Sequence, residues 1–127
     1  MVVDDSVDEL ALIRRILIKT GRVTRVNTIE GGDTALHMLQ KNIISPALIF
    51  LDLKMPGMDG IETLRQIRAD EKLKHIPVVI LTNSSLEDDK HAAFAAGADA
   101  FLNKAFNLDK FCKDIKSALE RWLKVPL

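Results

Sequence analysis

Short β-rich apolar runs alternate with longer segments at helical spacing along the 127-residue chain, and this alternation limits the fold more than any other feature. The runs are Met1–Val3, Val23–Thr28, Ala47–Leu51, Pro77–Leu81 and Asp99–Leu102. Three of them are nearly all apolar, the pattern of strands buried on both faces of a parallel sheet. Helix start signals fill the gaps. Ser6 before Glu9, Asp59 before Glu62 and Ser84 before Glu87 each set a capping oxygen three residues ahead of a carboxylate that can reach back. Asn107 suits the cap of a last helix, whose apolar stripe is Leu108, Phe111, Cys112, Ile115, Leu119, Trp122 and Leu123. Gly21 and Gly97 suit left-handed positions just past helix ends. Strand and helix therefore alternate from start to finish. Right-handed crossovers convert that order into a doubly wound α/β fold, a parallel sheet with helices on both faces. At roughly 150 residues per domain, positions 1–127 are expected to form one domain.

Composition removes several functions. Lys+Arg and Asp+Glu both number 18, so the net charge is zero and the basic excess of a nucleic-acid binder is missing. A single cysteine excludes an internal disulfide and a four-cysteine zinc site. No apolar run approaches the roughly 20 residues of a membrane span. No secretory leader is recognisable either, so a cytoplasmic location without membrane contact is expected. His37, His75 and His91 lack metal-ligand spacing. Cys112 falls in an apolar stripe and reads as core. Gly31-Gly32 lacks a phosphate-cradle pattern around it and reads as the turn into the second helix.

In a doubly wound fold the ligand site lies beyond the carboxyl ends of the strands, where the strand order reverses. Asp4 and Asp5 follow the first run, Asp52 the third, Thr82 the fourth and Lys104 the fifth. Taken singly, each has an ordinary reading as a cap, a turn opener, a strand end or a surface lysine. Together they carry chemistry. Clustered carboxylates repel one another, and a hard divalent cation such as Mg²⁺ relieves that conflict while welcoming a phosphate oxygen. Lys104 and the Thr82 hydroxyl can hold the remaining oxygens of a transferred phosphoryl group. Such transfer depends mainly on positioning and charge neutralisation, and an aspartate is a competent acceptor.

Four motifs in order carry a resemblance over essentially the whole chain: Val2–Ser6 (VVDDS), Leu51–Gly60 (LDLKMPGMDG), Val79–Thr82 (VILT) and Gly97–Lys104 (GADAFLNK). With them the sequence resembles the receiver domains of two-component response regulators, in particular single-domain chemotaxis-type receivers. The resemblance implies a flavodoxin-like sheet of strand order 2-1-3-4-5 with five helices. It implies that Asp52 is phosphorylated by a sensor histidine kinase or a phosphotransfer protein. Asp5 and Asp52 would bind Mg²⁺ directly, with the backbone carbonyl of Lys54, while Asp4 would act largely through water. Thr82 would move toward the phosphoryl group, Lys104 would pair with it, and Phe101 would be the rotating aromatic switch. Met55-Pro56-Gly57 would shape the adjoining loop. The output surface would be the face made by helix 4, strand 5 and helix 5, with a homodimer left open.

The chain departs from the family pattern at Ala105 (usually Pro), Asn83 (usually small), Pro46-Ala47 (often Pro-Asp) and the short first strand. A cis Lys104–Ala105 bond would cost about 2.5–4 kcal/mol, against about 0.5–1 for a proline, so a trans bond with Lys104 still pointing inward is expected. The Lys54 side chain, two residues past the acceptor, is expected to lean over it. The leading expectation is a phosphorylation-dependent signalling switch of a phosphorelay, with room for no output domain within 127 residues. Catalysis would extend only to the domain's own phosphorylation and dephosphorylation. An aspartyl-phosphate phosphohydrolase is a competing reading, weakened because Lys54 stands where such enzymes place a second acid. A receiver-like interaction module without switching is the other, kept open by Ala105 and Asn83.

Overall fold

The computed structural model describes residues 1–23, 25–84, 86–104 and 107–123. Strand and helix alternate as β1 (Val2–Val3), α1 (Val7–Lys19), β2 (Thr28–Ile29), α2 (Gly32–Gln40), β3 (Ile49–Leu51), α3 (Gly60–Ala69), β4 (Val78–Thr82), α4 (Glu87–Ala95), β5 (Ala100–Asn103) and α5 (Leu108–Trp122). The strands form one sheet in the order β2-β1-β3-β4-β5, every neighbouring pair parallel. This is the doubly wound, flavodoxin-like arrangement expected from the sequence.

Successive strand residues point to opposite faces, and each face has its own core. Val3, Ile49, Leu51, Val78 and Ile80 meet Leu36 and Leu39 of α2 and Leu64 and Ile67 of α3. Val2, Phe50, Val79 and Leu81 meet Leu10 and Ile13 of α1 and Phe111, Ile115 and Leu119 of α5. Residues of β3 and β4 are buried throughout, which is why those strands read as unbroken apolar runs. Each fully buried Val, Leu, Ile or Phe contributes about 1.5–3 kcal/mol of transfer free energy.

Local signals hold at several places. Ser6 Oγ accepts from the Glu9 N–H at 3.3 Å, Asp59 Oδ1 from Glu62 at 2.9 Å and Asn107 Oδ1 from Lys110 at 3.2 Å. Gly97 follows α4 at φ +108°, and a Cβ there would lie 2.8 Å from Arg68 Cγ, so both backbone and space call for glycine. Arg68 itself ties α3 to the lower edge of the sheet. It donates to the carbonyls of Gly97 (2.9 Å) and Ile76 (2.8 Å) and to Asp99 Oδ2 (2.9 Å), which also accepts from the Val78 N–H at 2.8 Å.

Three expectations require correction. The second strand is shorter than residues 23–28: only Thr28 and Ile29 pair with β1. Val2 is in register with Thr28 and Val3 with Ile29, while Val23 and Val26 pack on the α1–α5 core without pairing. Ser84 does not cap α4, whose first turn begins after Leu86 with no side-chain cap. Ser84 Oγ instead donates to Asp89 and accepts from the Leu86 N–H. Leu108 is 53% exposed and leaves the α5 stripe, because the buried face of that helix begins at Phe111. Among the described residues no helix is long and apolar enough to cross a membrane.

Candidate functional site

The strand order reverses between β1 and β3, and the carboxyl ends of those two strands place Asp4 and Asp52 side by side. The Asp4 N–H donates to the Ile29 carbonyl at 3.1 Å and the Asp52 N–H to the Val3 carbonyl at 2.9 Å, so ladder hydrogen bonds fix both backbones. The first residue of α3 closes in behind Asp52. A Cβ on Gly60 would sit 2.2 Å from the Asp52 carbonyl oxygen and 2.8 Å from Leu53 Cα. From the other side, the Lys104 N–H continues the β4–β5 ladder by donating to the Thr82 carbonyl at 2.7 Å. The Lys104 side chain then crosses toward β1, donating to Asp4 Oδ2 at 2.5 Å and Glu9 Oε2 at 2.6 Å. Its ammonium stands 3.6 Å from Asp52 Oδ1.

Electrostatics follow from this packing. Asp4 is 1% exposed and Asp52 7% exposed. Burial pushes the Asp52 carboxyl up to about 6; the nearby Asp4 and Glu9 carboxylates add to the rise, while Lys104 and the Leu53 N–H oppose it. For Lys104, burial works against the charged form, but hydrogen bonds to Asp4 and Glu9 and the charge of Asp52 outweigh it and hold the group above its ordinary value. One ammonium thus faces three carboxylates, leaving an excess of negative charge. Asp4, Glu9 and Asp52 each offer an oxygen, all within 4.8 Å of one another. An all-oxygen carboxylate set fits a hard divalent cation.

The remaining sequence candidates fall around this centre. Asp5 is exposed and lies outside the carboxylate cluster. The reason is local: Asp4 Oδ1 accepts from the Ser6 N–H at 3.0 Å, which turns the chain into α1 with Asp4 inward and Asp5 on the rim. The Lys54 side chain runs to Asp89 of α4, Nζ to Oδ1 3.4 Å, and is 68% exposed. Thr82 is buried, and its Oγ1 accepts from the Ser84 N–H at 3.2 Å. Phe101 is half-buried against the α2–α3 core. In the adjoining loop Met55 is buried while Pro56 and Gly57 are exposed. Lys104 points inward as expected; the Lys104–Ala105 bond lies outside the described residues.

Glu9 is the site residue that sequence reasoning missed. Its pattern with Ser6 reads as a capping box, in which the glutamate carboxylate returns to the N-cap N–H. Here Asp4 already takes that N–H, so the Glu9 carboxylate is free to meet Lys104. Asn83 was noted only as a departure; its Nδ2 donates to Glu9 Oε1 at 3.4 Å. The available signal was the position of Glu9 one helical turn past the Asp4-Asp5 pair, on the helix that starts at the site.

A parallel sheet of this order, with a buried aspartate, flanking acids and an inward lysine at the switch point, defines a receiver-type α/β domain. The sequence model of the response regulator receiver domain family matches residues 1–116, and the chain belongs to that family. It is thus a receiver domain of two-component signalling. The chain is 34% identical to chemotaxis protein CheY of Pseudomonas aeruginosa over 121 residues, covering 95% of both chains. It is 34% identical to response regulator Rcp1 of Synechocystis sp. over 130 aligned positions, 98% of this chain and 88% of that one. The Mn²⁺-bound structure of Rcp1 superposes with a TM-score of 0.84 at 31% identity, over 99% of this chain and 96% of the other. The phosphorylated cyanobacterial phytochrome response regulator RcpA superposes with a TM-score of 0.85 at 31% identity, over 99% and 94%.

Proposed function

We propose that this receiver accepts a phosphoryl group on Asp52 from a phosphohistidine of a sensor histidine kinase or phosphotransfer protein. The observation that carries the reading is the almost fully buried Asp52 carboxylate at the switch point, raised to about 6, with an ammonium 3.6 Å away. In the step itself an Asp52 carboxylate oxygen forms a bond to phosphorus, the phosphorus–nitrogen bond breaks, and the imidazole leaves with its electron pair. Mg²⁺, held by Asp52 and Asp5 with the Lys54 backbone carbonyl and by Asp4 through water, would supply charge neutralisation for the phosphoryl oxygens. The clustered oxygens of Asp4, Glu9 and Asp52 support a divalent cation at this place but do not include Asp5, which would have to turn in from the rim. The Mn²⁺-bound Rcp1 and the phosphorylated RcpA also support a site of this kind.

Lys104 pairs with the phosphoryl group and Thr82 orients toward it. Readout passes through Thr82 and Phe101 to a protein target on the α4–β5–α5 face. The domain acts as a switch and catalyses only its own phosphorylation and dephosphorylation. Incubation with a small acyl phosphate and Mg²⁺ is expected to add one phosphate mass, lost in Asp52→Asn and in the presence of chelator. Undiminished labelling of the Asn variant would overturn the assignment.

A further inference from the structure

We propose that Glu9 is a positioning residue that latches Lys104 and the β4–α4 loop together in the unphosphorylated protein, and that a phosphoryl group on Asp52 opens the latch. The inference rests on the receiver reading above and adds a residue and a route to it.

The two oxygens of Glu9 hold two different parts of the switch. Oε2 accepts from Lys104 Nζ at 2.6 Å, and Oε1 accepts from Asn83 Nδ2 at 3.4 Å. Asn83 follows Thr82 directly and opens the β4–α4 loop. The next residue fastens that loop on three sides: the Ser84 N–H donates to Thr82 Oγ1 at 3.2 Å, its carbonyl accepts from Asn103 Nδ2 at 3.0 Å, and its hydroxyl donates to Asp89 of α4. Motion of Asn83 is therefore passed to β5 and α4 through named hydrogen bonds. The backbone that carries Glu9 is fixed, because Leu10 and Ile13 bury the adjoining face of α1, while its side chain can move.

Competition for the ammonium gives the latch its two states. Lys104 has three donors, and in the unphosphorylated protein its short contacts are to Asp4 and Glu9 rather than Asp52. A phosphoryl group on Asp52 brings about two negative charges and three strong acceptor oxygens to the spot the ammonium already faces. As the ammonium is drawn from 3.6 Å toward the added oxygens, whose charge also repels both carboxylates, one of its two short contacts lengthens and opens. Asp4 is 1% exposed and would be left as an uncompensated buried charge, whereas the Glu9 side chain is 33% exposed and can return to water. Lys104 accordingly keeps Asp4 and exchanges Glu9 for the phosphoryl group. Glu9 then swings toward solvent and releases Asn83. The phosphoryl group shifts this equilibrium because only one of the two states lets it have the ammonium.

The test uses the whole chain, a small acyl phosphate, and Glu9→Gln, which keeps the size of the side chain and removes its charge. At saturating Mg²⁺ the labelling rate of Asp52 is expected to rise about tenfold, the effect of one lost charge-assisted hydrogen bond to Lys104. In the unphosphorylated variant the backbone amide resonances of Asn83 and Ser84 are expected to move toward their positions in phosphorylated wild type. Glu9→Asp, which keeps the charge, should restore wild-type behaviour in part. A saturated rate equal to wild type with only the half-saturating Mg²⁺ concentration raised would make Glu9 a metal ligand and overturn the latch; so would amides that stay in place. If Glu9→Gln does not fold, Asn83→Ala reports on the same link: the Ser84 and Asn103 amides move toward the phosphorylated positions, and unmoved amides overturn the proposal. Failure of wild type itself to label at Asp52 is a different result, and counts against the receiver reading.

Discussion

Asp52→Asn is expected to make the metal-free protein more stable, because the Asp52 carboxylate is held where its charge is costly. Burial, with Asp4 and Glu9 adding to it, raises the group from 3.8 to about 6. A carboxyl whose folded value exceeds its unfolded one binds more protons in the folded state between those two values. Its stabilising share is fully present below about pH 4 and is lost as pH rises through about 6. A shift of about two units at about 1.4 kcal/mol each gives a penalty of about 3 kcal/mol at neutral pH. Asn carries no charge and has nearly the shape of the protonated acid, so it escapes that penalty. For a domain of this size about 3 kcal/mol corresponds to roughly 10 °C in Tm. The assay is thermal unfolding in EDTA, followed by circular dichroism at pH 7.5 and pH 4. The variant should melt roughly 10 °C above wild type at the higher pH and within about 2 °C at the lower. An equal gap at both values, or a less stable variant at pH 7.5, would refute the reasoning and mean that attraction to Lys104 outweighs burial.

Two further substitutions probe the scaffold. Arg68→Ala strips the donors from the Gly97 and Ile76 carbonyls and from Asp99; a loss of about 2–4 kcal/mol is expected in urea unfolding. Gly60→Ala forces a methyl group to within 2.2 Å of the Asp52 carbonyl oxygen, a backbone atom that cannot swing aside. That overpacking should cost about 1–3 kcal/mol in urea unfolding. Displacement of the acceptor should also lower the rate of Asp52 labelling by about tenfold or more in the acyl phosphate assay.

Most of the sheet was legible because its central strands are buried on both faces. Ile49–Leu51 and residues 78–81 show unbroken apolar character for that reason, and Asp52 and Thr82 stand out as the polar residues that end those runs. Asp4 and Lys104 were legible by the same contrast. The limits of β2 were not, since Val23 and Val26 are as β-prone as a paired residue but are half-buried against the α1–α5 core instead. Neither was the order of burial within Asp4-Asp5. Adjacent aspartates look alike in sequence, and only the turn made by Asp4 with the Ser6 N–H decides which one faces the site. Glu9 was hidden by a local pattern with a complete local explanation. Its carboxylate becomes available only because Asp4 has taken the partner that a capping box would give it, and Lys104 reaches it across 95 residues of sequence.

These features connect through a single shortage of positive charge. Three carboxylates converge on one ammonium, so none is fully neutralised, and Asp52 is raised to about 6. At that value it remains about nine-tenths ionised at pH 7, yet it is more basic than a free aspartate. A more basic oxygen is a better nucleophile, so under the proposed role of Asp52 the same burial that destabilises the fold would improve the acceptor without protonating it. Full pairing of Lys104 with Asp52 would remove that advantage, and the buried Asp4 carboxylate, 2.5 Å from the ammonium, competes with it. In the proposed transfer, the arrangement that keeps Lys104 off Asp52 beforehand would also leave it available to the phosphoryl oxygens afterwards. Reactivity and switching would then draw on the same three carboxylates.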